Sequence, residues 1–252
     1  MEGTVSKNTI DGICTVTFFH PQSNSMPGEL LNLLSNAIEQ AGKEEDSKVI
    51  VLESQGEKSF CAGASFDELV AINDFETGKK FFSGFAKVIN AMRKSPKFII
   101  AKVQGKAVGG GVGIASAADY TLAHISADVK LSELAVGIGP FVVGPAVERK
   151  IGTSKFASLS INASEWQSSN WAFEAGLYAN VFNTHEELNS ETQKLAQTLS
   201  KSNPEAMSML KKVFWQGTEN WDTLLLERAE MSGKLVLSDF TKNAIAKFKA
   251  KA

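Results

Sequence analysis

Residues 104–123 read QGKAVGGGVGIASAADYTLA. The apolar run from Phe98 to Val103 before them predicts a buried strand. The small residues after the glycines predict a closely packed helix. A glycine turn between strand and helix leaves the first helical N–H groups without internal partners, and these carry partial positive charge. A second turn of this kind, CAGAS at 61–65, also follows a predicted strand and opens a predicted helix. Two such turns at adjacent strand ends could aim two N–H groups at one oxygen, forming an oxyanion hole. One donor of that type contributes about 2.7–4 kcal/mol in a transition state. The same spacing also suits glycines that serve only helix–strand packing, and the residues alone leave both open.

Outward from these turns, Gly12–His20 reads as a strand rich in β-branched and aromatic residues. Leu30, Leu31, Leu33, Leu34, Ala37 and Ile38 recur with helical spacing. Val49–Leu52 is apolar without alternation, as in a strand covered on both faces. Phe75–Met92 predicts a long helix ended by Pro96. Strand and helix thus alternate, and the fold class expected is α/β with a mainly parallel sheet. Past residue 150 the segments 154–161, 171–176, 186–199, 205–213 and 221–251 all look helical, with no strong strand. The last carries an apolar face suited to docking on its own core or on a neighbouring subunit.

Composition narrows the function. The 252 residues are long enough to bury a sizeable core, and 43% hydrophobic with 21% charged is ordinary for a globular protein. Lys+Arg is 26 against 28 Asp+Glu, so no basic excess points to nucleic acid. The opening MEGTVSKNTIDG has no apolar signal core, and no apolar run approaches the roughly 20 residues of a membrane helix. The expected setting is soluble and cytoplasmic. Cys14 and Cys61 form neither a metal pair nor a disulfide framework, and His20, His124 and His185 lack metal-ligand spacing. No GxGxxG follows Gly109 and Gly111, because position 114 is Ile114. The segment GASFD is not a nucleophile elbow, because its last residue is Asp67. Glu133 stands alone in the run DVKLSELAVGIGPF. It is either a solvated strand-end acid or a carboxylate in an apolar cleft, where its proton affinity would rise toward that of a general acid/base.

At this point the sequence resembles the crotonase superfamily, the enoyl-CoA hydratase/isomerase family. The resemblance rests on NSM at 24–26, FCAGASFDEL at 60–69, the 104–123 block, KLSELAVGIGP at 130–140 and, more weakly, AFEAGL at 172–177. It spans nearly the whole chain in the right order. It implies a crotonase-like spiral of ββα units over 1–195 and a helical C-terminal oligomerisation region over 196–252, giving a homotrimer or a dimer of trimers. It implies an acyl-CoA thioester as substrate, with coenzyme A part of that substrate and no separate cofactor or metal. The N–H groups of Ala64 and Gly110 would bind the thioester carbonyl, and Glu133 would move protons at the neighbouring carbons. Asn24, Met26, Ala62, Gly63, Ser65, Phe66, Gly109 and Pro140 would line the substrate, and Phe248 and Lys251 would reach the coenzyme A end. Phe81, Phe82, Phe85 and Phe141 are candidates for an acyl pocket.

One departure carries information. The family's hydratases use two glutamates, and the position of the first is Gly113 here, while the second matches Glu133. Hydration must activate a water and protonate a carbon, which suits two carboxylates. Moving a double bond from β,γ to α,β needs one base that takes a proton from C2 and returns it to C4. The resemblance therefore favours Δ3,Δ2-enoyl-CoA isomerisation in fatty-acid metabolism. A hydratase, another crotonase-type reaction, or a catalytically weak CoA-binding homologue are the alternatives. Asp67, Glu68 and Asp119 are lesser acid candidates near the two turns.

Overall fold

The computed structural model describes residues 3–249. The chain opens with an antiparallel pair, β1 (Thr4–Ile10) and β2 (Ile13–Phe19), followed by α1 (Gly28–Lys43). Two turns of one repeating unit come next. β3 (Val49–Ser54) and β4 (Ser59–Cys61) lead into α2 (Phe66–Ala71) and α3 (Phe75–Lys94). β5 (Ile99–Val103) and β6 (Lys106–Val108) lead into α4 (Gly110–Ala117). A third pair, β7 (Tyr120–His124) and β8 (Val129–Lys130), runs into a 3₁₀ turn at Leu134–Val136. In each of the three pairs β3/β4, β5/β6 and β7/β8 the first strand joins a six-stranded sheet ordered β1-β2-β3-β5-β7-β9. The second joins a three-stranded sheet ordered β4-β6-β8. This is a spiral of ββα units, and every pairing except β1–β2 is parallel.

The remaining chain forms α5 (Gly144–Ile161), α6 (Ser169–Glu174), β9 (Asn180–Phe182), α7 (His185–Ser200), α8 (Pro204–Phe214), α9 (Trp221–Leu235) and α10 (Asp239–Lys249). Two expectations are corrected. A strand, β9, does lie past residue 150; three residues are too few to display a period. The last long helix is broken between Leu235 and Asp239. The expected division after residue 195 falls inside α7, whose Leu188 and Ala196 belong to one buried cluster with strand residues.

Val49–Leu52 shows why its apolar run lacks alternation. Ile50 and Leu52 enter the main core with α1 and α3, whereas Val49 and Val51 pack with Ile13, Ile100, Leu122 and α7 on the other face. The long helix α3 begins at Asp74, whose side chain accepts from Thr77 N at 2.8 Å, and carries Arg93 and Lys94 in its last turn. The apolar face of α9 docks on the chain's own core through Leu225 and Ala229, both fully buried.

Asp119 ties the helical region to the sheet. Its Oδ2 accepts from Ile99 N at 2.8 Å and pairs with Lys211 Nζ at 2.8 Å. Its Oδ1 accepts from Trp215 Nε1 at 2.9 Å. Lys211 also donates to Lys97 O at 2.8 Å. This acid is thus committed to joining β5, β7 and α8, and it lies outside the candidate site. Its side chain and that of Lys211 are 5% and 3% exposed, so removing one partner strands a buried charge. Lys211→Met is expected to cost about 3–5 kcal/mol of unfolding free energy in urea titrations. Asp119→Asn combined with Lys211→Met should cost clearly less than the two single changes added together.

Candidate active site

The two glycine turns meet because β4 and β6 are neighbours in the small sheet. Gly63 has φ +88, and a Cβ built there would lie 3.0 Å from Val108 O and 3.7 Å from Gly110 N. Gly109 has φ +51 and caps α4. Both positions need the freedom of glycine, one for close approach and both for a left-handed backbone. Met26 fixes the first turn from the side: its N–H donates to Gly63 O at 2.8 Å, and its O accepts from Ser65 N at 3.1 Å. This parallel bridge uses the groups flanking Ala64 and leaves Ala64 N–H outside the pairing. Gly110 is the first residue of α4, so its N–H has no helical acceptor. Neither N–H donates to another group among the described residues.

Ala64 and Gly110 line one cavity of about 390 Å³. Ala62, Gly63, Phe66, Gly109, Glu133 and Pro140 line it too. So do Phe82, Phe85 and Phe141; Phe81 is buried edge-to-face against Phe82 and does not. Asn24, Met26 and Ser65 are buried behind the wall. Asn24 donates through Nδ2 to Gln55 O at 2.8 Å and Ser59 O at 2.9 Å, so it clamps the loop after β2 to the other turns. Ser65 caps α2, accepting from Glu68 N at 3.4 Å. Phe248 is carried by α10, and Lys251 lies outside the described residues.

Glu133 resolves toward the cleft. It is half-buried as a residue, but its Oε2 is shielded from solvent and has no hydrogen-bond partner among the described residues. Burial pushes its carboxyl up to about 7, since a charge in an apolar wall loses hydration without gaining a cation. A Cβ built on Gly109 would lie 3.0 Å from Glu133 Oε1, which sets this carboxyl beside the start of α4. The turn carrying it closes tightly: Ile138 N donates to Glu133 O at 2.9 Å, and Gly137 is left-handed at φ +82. Phe240 and Thr241 of α10 press on Gly137, where an added Cβ would lie 2.5 and 2.6 Å from their side chains.

Among the described residues that line the cavity, Glu133 is the single carboxylate. The place of a second is closed: a Cβ at Gly113 would lie 2.5 Å from Val143 Cβ. Asp67 accepts from Gln22 Nε2 at 3.0 Å, and Glu68 accepts from Gly28 N at 2.8 Å, so both acids brace the wall from outside. Cys61 lies under the glycines, and burial pushes its thiol up to about 12, which removes it as a nucleophile near neutrality. The three histidines lie away from the cavity lining. No cluster of three or more metal-ligating side chains occurs among the described residues, and none of their helices is long and apolar enough to cross a membrane. Sequence reasoning did not single out Lys130, Ser132, Val143, Ser164 or Trp166 as cavity residues. Lys130 had one available signal, its place three residues before Glu133.

The family described as enoyl-CoA hydratase/isomerase matches residues 8–251. A probable enoyl-CoA hydratase of Bacillus subtilis is 25% identical over 238 residues, covering 94% of this chain and 92% of the relative. A short-chain-enoyl-CoA hydratase of Clostridium acetobutylicum is 27% identical over 239 residues, covering 94% and 90%. The solved structure of an enoyl-CoA hydratase from Bacillus halodurans superposes with a TM-score of 0.89 at 21% identity, covering 96% of this chain and 99% of that one. That structure bears on the fold, and the match over nearly the whole sequence bears on descent. A ββα spiral whose two glycine turns meet at a cavity, together with that match, places the chain in the enoyl-CoA hydratase/isomerase family.

Proposed function

We propose that the protein isomerises 3-enoyl-CoA thioesters to their conjugated 2-enoyl isomers. The observation that carries this reading is that Glu133 is the single carboxylate among the described residues lining the cavity, with Val143 filling the place of a second. In the proposed reaction the thioester carbonyl oxygen accepts from the N–H groups of Ala64 and Gly110. Glu133 takes a proton from C2, and the electron pair spreads over the carbonyl oxygen, C2 and C4. The two donors hold the resulting charge against a mostly apolar wall, where preorganised dipoles act more strongly than in water. The protonated Glu133 then returns its proton at C4, and the double bond lies between C2 and C3. No atom is gained or lost. A carboxyl poised near pH 7 suits both steps, since it can accept and donate with little bias.

Enoyl-CoA hydration is the second reading, favoured by the names of the two curated relatives. It requires a water to be held by something other than a paired carboxylate. Purified protein incubated with a 3-enoyl-CoA and followed by conjugated-thioester absorbance separates the two. Conversion of 3-enoyl-CoA supports isomerisation. Water addition to 2-enoyl-CoA, with no conversion of the 3-isomer, replaces it by the hydratase.

Two further outcomes are expected. Glu133→Gln keeps the shape and removes the base, so kcat should fall by about 10²–10⁴-fold while affinity for a saturated acyl-CoA stays within a few-fold, measured by steady-state kinetics and calorimetry. The pH profile of kcat/KM should rise to a plateau with its midpoint near 7, because the ionised form starts the reaction. Stability moves the opposite way. The folded carboxyl binds its proton more tightly than the unfolded one, so stability is lost as pH rises from the ordinary carboxylate range through about 7. Glu133→Gln lacks this loss, so its Tm advantage over the parent should grow between pH 5 and pH 8.

A further inference from the structure

The strand face that supplies Val108 to the cavity also carries two lysines. Lys130 is the register partner of Val108 in the β6–β8 ladder, and Lys106 stands two residues before Val108 on the same face. Their ammonium groups converge on one ring: Lys106 Nζ lies 4.7 Å and Lys130 Nζ 5.5 Å from the centroid of Trp166. Trp166 is held in place by its neighbour, because Gln167 and Val129 exchange backbone hydrogen bonds of 2.8 and 2.9 Å. Lys130 and Trp166 line the cavity, and Lys106 is exposed beside it.

Neither ammonium has a carboxylate partner among the described residues. Two like charges gathered on one aromatic face repel each other, and the ring offsets only part of that. An anion between them would convert repulsion into two charge-assisted hydrogen bonds. We propose that Lys106 and Lys130, braced by Trp166, form an anion-recognition site at the rim of the cavity that holds a negatively charged group of the thioester substrate. The identity of the substrate rests on the acyl-CoA reading above. Two groups offer the required oxygens: a carboxylate at the far end of the acyl chain, or the diphosphate of coenzyme A.

Binding measurements test this without relying on turnover. The full chain is titrated with butyryl-CoA, glutaryl-CoA, butyryl-pantetheine and inorganic diphosphate, with tryptophan fluorescence as the signal. The same titrations are made on Lys106→Met/Lys130→Met, on the exposed single variant Lys106→Gln and on Trp166→Phe, each checked for folding by its thermal melt. The double variant should lose about tenfold in affinity for at least one anionic probe, and the fluorescence response should vanish in Trp166→Phe. A loss confined to glutaryl-CoA assigns the site to an acyl carboxylate. A loss shared by both CoA thioesters and inorganic diphosphate, but not by butyryl-pantetheine, assigns it to the diphosphate. Unchanged affinity for every probe in the folded lysine variants would overturn the proposal. Failure of the acyl-CoA reading looks different: inorganic diphosphate binds in a lysine-dependent way while no CoA thioester does.

Discussion

The close approach of Gly63 to the carbonyl of Val108 is the constraint on which the rest of the site depends. A Cβ at residue 63 would stand 3.0 Å from that oxygen, tighter than ordinary contact, on a backbone at φ +88 that favours glycine, so the turns meet most closely with glycine there. The ββα spiral makes the meeting possible. Each second strand leaves the main sheet for the small one, and neighbouring small strands end side by side. The bridge through Met26 then absorbs the hydrogen-bonding capacity on either side of Ala64. Among the described residues, the N–H groups of Ala64 and Gly110 are left unpaired where the two turns meet, at positions that the strand pairing and the helix do not use.

The carboxylate that shares their cavity is set by exclusion. Glu133 has no cation to stabilise its charge, and its Oε2 has no donor among the described residues. In a structural role such an atom would be costly. In the proposed reaction the missing partner is the proton in transit. The hydratase names of the relatives and the single-carboxylate cavity pull in different directions. The packing of Val143 against Gly113 favours one base, because a second acid would need the α5 entry to move as well.

Much of this was legible from residues alone, for identifiable reasons. The long elements declared themselves by period: α1 and α3 through their leucine and phenylalanine stripes, β3 through unbroken apolarity on a strand covered twice. The glycine turns were legible because few residues satisfy their backbone. The second strand of each pair was not, because β4, β6 and β8 have only two or three residues and are defined by their partners. The same holds for β9. The roles of Asn24 and Ser65 were missed as well, since a clamp between loops and a helix cap look like any polar residue until the loops are placed. The environment of Glu133 could be posed as a choice and not decided, because its surroundings come from separate elements: the start of α4 lies beside its carboxyl, and α10, more than a hundred positions on, presses on its turn.

That distant cover has its own significance. Gly137 closes the turn bearing Glu133, and Phe240 and Thr241 rest on it from the beginning of α10. The beginning of α10 is therefore a mechanical neighbour of the turn that carries the acid. Sequence drift in this terminal helix can retune how the acid is held without altering any residue of the cavity wall, so relatives with identical pockets need not share reactivity.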